Sequence, residues 1–240
     1  MLTAVFFDAT GTILHLREPA GVSYAKIACR FGLEADERAV IAAFRRAFRE
    51  TPGLAFGPGH SAAELRRLER EWWRALVIQT FAGMGRFTDF DACFDELFAL
   101  FADPSGWTAD PDAPRLFQSL KSRGLILGVI SNFDHRLYGV MDALDLGRYF
   151  DSITISSEVG WAKPAPEIFR SALARHGLSP AEAIHVGDSE THDLRGACAA
   201  GLGAVLIDPQ SAEALTVNGR CARVRSLGGV AEAVERIGFP

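Results

Sequence analysis

Asp8, Ser131 and Asp188 each close a short apolar run, Ala4–Phe7, Leu125–Ile130 and Ile184–Gly187 respectively. Apolar runs of roughly 4–8 residues, bounded by turn residues and separated by stretches of helical period, read as strands buried on both faces. That is the signature of a parallel sheet covered by helices. In an open parallel sheet, ligands bind outside the carboxyl ends of the strands. Three polar residues far apart in sequence are therefore expected on one rim, and Lys163 joins them from the loop Gly160-Trp161-Ala162-Lys163-Pro164.

Between the first run and the second, the period changes. From about Leu16 to Trp107 the chain reads as successive helices. The first begins with Pro19 as its first helical residue, ahead of Val22, Ile27, Ala28 and Phe31. Asp36 caps a second with Val40, Ile41, Phe44 and Phe48 on its apolar face. Ser61 and Glu64 form a capping box for a third carrying Leu65, Leu68, Trp72 and Leu76. A fourth starts near Thr88, with Phe90, Phe94, Leu97 and Phe101 on one face, and the Gly/Pro-rich Thr51–His60 is a loop.

After Trp107, helices and short strands alternate. A helix over Leu116 and Leu120 ends at Gly124, and another over Leu137, Val140 and Met141 follows Ser131. Then come a strand at Ser152–Ile155, a helix on Ile168, Phe169 and Leu173, a helix closed by Gly201, a strand at Ala204–Ile207 and a weaker tail ending in a helix around Val230–Ile237. The predicted fold is α/β: a doubly wound, Rossmann-like parallel-sheet core from residues 1–15 and 108–240, with an all-helical unit of residues 16–107 inserted after strand one.

Composition narrows the partners. With 48% hydrophobic and 23% charged residues the chain is a folded globular protein. The net charge of -5 comes from interleaved acids and bases, which disfavours a nucleic-acid partner. No apolar stretch approaches the ~20 residues of a membrane span. The first residues lack the basic start and long apolar segment of a signal peptide, so the expected compartment is the cytoplasm. Cys29, Cys93, Cys198 and Cys221 lack CxxC spacing and read as buried thiols, neither disulfides nor zinc ligands.

The strand-end residues resemble the four motifs of the haloacid dehalogenase superfamily, most of whose members are magnesium-dependent phosphatases. Motif one is similar to Asp8-Ala9-Thr10-Gly11-Thr12, motif two to Ser131-Asn132, motif three to Lys163-Pro164, and motif four to Gly187-Asp188-Ser189 with Asp193. The helical insert looks like the cap that one subfamily places after its first strand. Leu14–Gly21, Tyr24-Ala25-Lys26, Trp72-Trp73 and Ser131–Leu137 narrow the resemblance to the branch named after the rhythmically expressed gene 2 protein.

The residue types suit that chemistry. A carboxylate attacking phosphorus gives an aspartyl phosphate and splits one hard hydrolysis into two easier steps, and Asp8 is the nucleophile candidate. Mg²⁺ wants hard oxygen ligands, which Asp8, the Thr10 carbonyl and Asp188 offer, with Asp193 supporting or completing the shell. Thr10, Gly11, Ser131, Asn132 and Lys163 are the phosphate-binding candidates, with hydroxyl and amide donors near a helix start and a lysine to neutralise charge. The implied substrate is a small phosphorylated molecule. Taken singly, Lys163 would be a solvated charge, Asp188 and Asp193 helix-cap acids, and Ser131-Asn132 a turn.

One position departs from the resemblance. Phosphatases of the superfamily usually carry a second Asp two residues after the nucleophile, which protonates the leaving group and then activates water; here it is Thr10. Loss of a general acid/base costs about 10²–10⁴ in rate, so a phosphatase on this pattern is slow or recruits another base. His15, His135, Glu190 and His192 are the neighbours in sequence, each more simply a loop or surface residue. Two other readings stay open: a phosphate- or metal-binding regulatory protein with impaired turnover, and a 2-haloacid dehalogenase. The second is disfavoured by Asp188, which dehalogenases lack at the start of motif four. Lys26 as a phosphonatase-like cap lysine, and Arg45, Arg46, Arg49, Arg66, Arg67 and Arg70 as substrate ligands, compete with plain solvated helix faces. Of Trp72 and Trp73, which cannot both face one helix core, one is a candidate for the cleft.

Overall fold

The computed structural model describes residues 1–238. In chain order the elements are β1 (Ala4–Phe7), β2 (Leu14–Leu16), α1 (Ala20–Arg30), α2 (Glu37–Glu50), α3 (Ala62–Phe81), α4 (Phe90–Leu100), β3 (Trp107–Ala109), α5 (Ala113–Ser122), β4 (Ile126–Ser131), α6 (Arg136–Ala143), β5 (Ser152–Ile155), α7 (Ser156–Val159), α8 (Pro166–Ala174), β6 (Ala183–Gly187), α9 (Gly196–Ala199), β7 (Gly203–Ile207), β8 (Leu215–Asn218), β9 (Cys221–Val224) and α10 (Val230–Gly238). Seven strands form one sheet in the order β5-β4-β1-β6-β7-β9-β8. All neighbours in it are parallel except β8 and β9. The α/β class with a helix-covered parallel sheet is thus as the sequence implies.

Both faces of the sheet are buried because helices cover both. Phe7, Val129, Val186 and Val205 join one core with Phe117 and Leu137, while Phe6, Ile130 and Ala204 join the other with Ile168 and Phe169. β1 lies between β4 and β6, and β6 is its other neighbour's counterpart across the sheet centre, so the residues after β1, β4 and β6 share one edge.

Helices α1 to α4 build a third, separate core around Tyr24, Val40, Val77, Phe94 and Leu97. Asp36 caps α2 by accepting from the Ala39 N–H, and Ser61 with Glu64 forms the capping box of α3. Pro19 is not the first helical residue: its ψ of 133° is extended, and α1 begins one residue later. The fourth helix starts at Phe90, because Asp89 accepts from the Ala92 N–H and fixes the boundary.

Two features were not expected. β2 and β3, the segments that lead into and out of the four helices, pair with each other antiparallel, Leu14 opposite Ala109 and Leu16 opposite Trp107. The tail contains a hairpin, β8–β9, turned by Gly219-Arg220 between the paired Asn218 and Cys221, with Gly219 at φ 58°. The cysteine reading fails in part: only Cys93 is buried, while Cys29 and Cys198 are exposed. Cys29 lies on α1 away from that helix's buried positions, and Cys198 on a short helix at the surface.

Candidate active site

Two glycines make room for the acids. Gly11, at φ +91°, bends the chain after Asp8, and a Cβ there would lie 2.5 Å from Asp188 Oδ2. At Gly187 a Cβ would lie 2.1 Å from Asp193 Cγ. Only glycine lets Asp8, Asp188 and Asp193 converge, each offering one carboxylate oxygen within 4.8 Å of the others.

Lys163 enters this cluster almost fully buried, at 4% exposure. Its Nζ donates to Asp8 Oδ1 and to Asp193 Oδ1, both at 2.6 Å. Despite burial, those two carboxylates hold the lysine protonated and raise its pKa. Burial in turn pushes the Asp8 carboxyl up against the pull of Lys163, whereas Asp193, although buried, is held well below the usual carboxylate range by Lys163 and His185. Asp193 therefore takes the ionic share of the lysine. Asp188 has no such partner: desolvation first, then the charges of Asp8 and Asp193, lift it to about 6.

His185, unnoticed in the sequence, lies beneath the cluster in the middle of β6 with no exposure. Its Nε2 donates to Asp193 Oδ1 at 2.9 Å, while Nδ1 has no partner. A protonated ring would leave a buried N–H unsatisfied, so this imidazole is neutral; burial lowers its pKa accordingly. The Ser189 N–H fills Asp193 Oδ2 at 2.9 Å. Asp193 is thus already served on both oxygens, three donors in all, which suits a brace better than an open metal ligand.

Asn132 is engaged elsewhere than the sequence implies. Its Oδ1 accepts from the Lys163 N–H at 2.7 Å and its Nδ2 donates to the Lys163 carbonyl at 2.9 Å. The side chain holds the lysine loop, leaving only its backbone N–H for an anion. Ser131, at the end of β4, is buried. Thr10 is exposed on the rim, and Thr12 behind it has a buried hydroxyl with no partner.

The other base candidates are occupied. His15 pairs with Asp110, Glu190 with Arg195 and Arg223, and His192 with Ser189. His135 pairs through Nδ1 with Glu69, a fully buried acid of α3. Lys26 is tied to Glu18, and Arg67 and Arg70 to Glu71 and Asp95. Trp73 reaches the core, donating to Asp134, while Trp72 donates to the Pro52 carbonyl. The Thr51–His60 loop is seated on the same side: Ser156 Oγ donates to the Leu54 carbonyl and the Gly57 N–H to the Gly160 carbonyl, just ahead of Lys163.

The family model described as haloacid dehalogenase-like hydrolase matches residues 2–201. The chain belongs to the haloacid dehalogenase-like hydrolases. Among relatives of this family, haloacid dehalogenase-like hydrolase domain-containing protein 3 of Bos taurus is 35% identical over 86% of this chain and 82% of its own length. The rhythmically expressed gene 2 protein of Drosophila melanogaster is 30% identical over 86% and 83%. A phosphoserine phosphatase of Thermus thermophilus is 36% identical over 46% of this chain and 45% of its own. Among solved structures, a HAD phosphatase from Thermococcus onnurineus aligns at TM-score 0.65 and 23% identity, over 97% of this chain and 98% of that one. L-2-haloacid dehalogenase from Xanthobacter autotrophicus aligns at 0.70 and 18%, over all of both chains. At those identities the two solved structures share the fold, and the choice between their chemistries falls to the residues. Among the described residues no helix is long and apolar enough to cross a membrane.

Proposed function

We propose that this hydrolase is a Mg²⁺-dependent phosphohydrolase of small phosphorylated metabolites, with Asp8 as nucleophile. The observation that carries the reading is a charge count. Asp8, Asp188 and Asp193 cluster together, and Lys163, paired with Asp8 and Asp193, is the one cation in contact with them among the described residues, with His185 neutral. Two negative charges are left over, and Asp188 shows their strain in its raised pKa. Hard carboxylate oxygens with an excess of two negative charges suit a small dication. Asp8, the Thr10 carbonyl and Asp188 would hold it, with Asp193 in support. Bound there, Mg²⁺ would supply Lewis-acid neutralisation of phosphoryl charge.

The chain's own groups do the rest. Lys163 occupies Asp8 Oδ1, so Oδ2 is the oxygen that attacks phosphorus. The bond to the leaving group breaks and an acyl phosphate forms on Asp8. Ser131 and the backbone amide of Asn132 receive the phosphoryl oxygens; Gly11, a candidate from the sequence, is engaged elsewhere, its N–H donating to the Leu14 carbonyl at 2.8 Å. Water then attacks phosphorus and frees Asp8. Thr10 cannot take that water's proton at neutral pH, so this second step is slow and the acyl phosphate accumulates. Residues 16–107 act as the cap that selects substrate.

The test is Mg²⁺-dependent phosphate release from para-nitrophenyl phosphate and a broad phosphomonoester panel, abolished in Asp8→Asn. Absence of any such release, or release that survives the substitution, overturns the reading. The exposed Thr10 favours a second one, a regulatory phosphate- or metal-binding protein; it predicts Mg²⁺ and phosphate binding without turnover. Halide release from 2-haloacids without metal would favour dehalogenation instead.

A further inference from the structure

The Sγ atoms of Cys198 and Cys221 lie 3.0 Å apart, although the residues are 23 positions apart in sequence. Unbonded heavy atoms normally pack at about 3.5–4.0 Å, so these sulfurs are already pressed together. Cys198 belongs to α9, just past the turn that carries Asp193, and Cys221 opens β9 opposite Ala204 of β7. Cys198 is exposed and Cys221 half-buried, so a small oxidant reaches them. Cys29 and Cys93 have no sulfur neighbour among the described residues.

We propose that Cys198 and Cys221 form a modification site, a dithiol that a peroxide closes to a reversible disulfide. A disulfide bond is about 2.05 Å long, which asks for an approach of about 1 Å. Burial and then the hydrogen bond and charge of Cys221 push the Cys198 thiol up to about 12. Cys221 is the sulfur that attacks first. It attacks one peroxide oxygen, the O–O bond breaks, and a sulfenic acid and one water result. Cys198 sulfur then displaces the sulfenic oxygen, which leaves as a second water with the thiol proton. Two thiols and one hydrogen peroxide become one disulfide and two waters, and an external thiol reverses the step.

The bond would join two parts of the chain with different standing. The family match stops at residue 201, so Cys198 lies inside it and the β8–β9 hairpin beyond it. Oxidation staples that hairpin to the helix after motif four and restricts the unfolded chain, while Asp8, Lys163 and Asp193 stay where they are. The site is independent of the reaction proposed above.

Full-length reduced protein treated with equimolar hydrogen peroxide at mildly alkaline pH should lose two of its four thiols and about 2 Da of mass. Tryptic digestion without reductant should show Gly196–Arg220 linked to Cys221–Arg223. The melting temperature should rise by about 5–10 °C and return with dithiothreitol. Cys198→Ser and Cys221→Ser should each abolish the mass loss and the rise, and Cys29→Ser should keep both. Sulfinic acid at either sulfur in place of the linkage, an intermolecular bridge, or no thiol loss would overturn the proposal.

Discussion

The indole Nε1 of Trp73 donates to Asp134 Oδ2 across 2.6 Å, tying α3 to the loop that leaves Ser131. Asp134 has no exposure and also accepts from Arg136 Nε at 2.9 Å and Nη2 at 2.6 Å. The Arg136 guanidinium in turn lies over the rings of Trp73 and Phe98. Removing one partner of a buried pair costs about 3–5 kcal/mol, because the other charge is left uncompensated. Asp134→Ala should therefore lower the urea midpoint by that much stability at constant m, and Trp73→Phe by about 1–3 kcal/mol. An unchanged midpoint in Asp134→Ala would show that the two units are not held together here.

Asp188 gives a pH signature. Its pKa of about 6 is raised above the unfolded value, so its carboxyl stabilises the metal-free fold at low pH, and that stabilisation is lost as pH rises through about 6. Metal-free Asp188→Asn should consequently melt about 2 °C higher than the parent at pH 8 and no higher at pH 4. Because the metal needs the ionised acid, the parent's Mg²⁺ affinity should fall below about pH 6. Scanning calorimetry with and without Mg²⁺ across that range checks both.

His185 hydrogen-bonds Asp193, which in turn holds Lys163. His185→Leu should lower kcat about 10–100-fold with KM little changed, and weaken Mg²⁺ activation, as loss of an outer hydrogen-bond partner does. His185→Gln, which keeps a donor, should recover part of that loss. A fall in KM and kcat together with a collapsed melting temperature in both variants would make the histidine a packing residue only.

Thr10→Asp should raise turnover of phosphomonoesters about 10²-fold or more by restoring the missing acid/base. In the parent, rapid quench should catch a burst of leaving group and an acid-stable phosphoprotein, both absent from Asp8→Asn. Steady release without a burst would place the slow step before the acyl phosphate.

The rim was readable because each strand ends where its apolar run ends, at Asp8, Ser131 and Asp188. Lys163 was legible from its place in the Gly160–Pro164 loop, third in the order of the four motifs. His185 was not, since Ile184-His185-Val186 reads as one strand; the signal was there, in a polar residue at a position where the sheet buries everything. The Glu69–His135 and Trp73–Asp134 contacts join segments more than sixty residues apart, a distance that periodicity does not bridge. The spare roles of Asn132 and Asp193 likewise depend on partners that only packing supplies. The β8–β9 hairpin turns at Gly219-Arg220, a weak signal between two short runs, of which β8 is mostly exposed.

The antiparallel pairing of β2 with β3 places the chain's departure from the core and its return about 4.8 Å apart. Whatever is threaded between Leu16 and Trp107 therefore presents the main sheet with the same two adjacent ends. Helices there can be lengthened, dropped or exchanged as a cassette without a slip in the register of β1, β4 or β6. A lineage built on this plan can change what it admits to the rim while inheriting the rim intact.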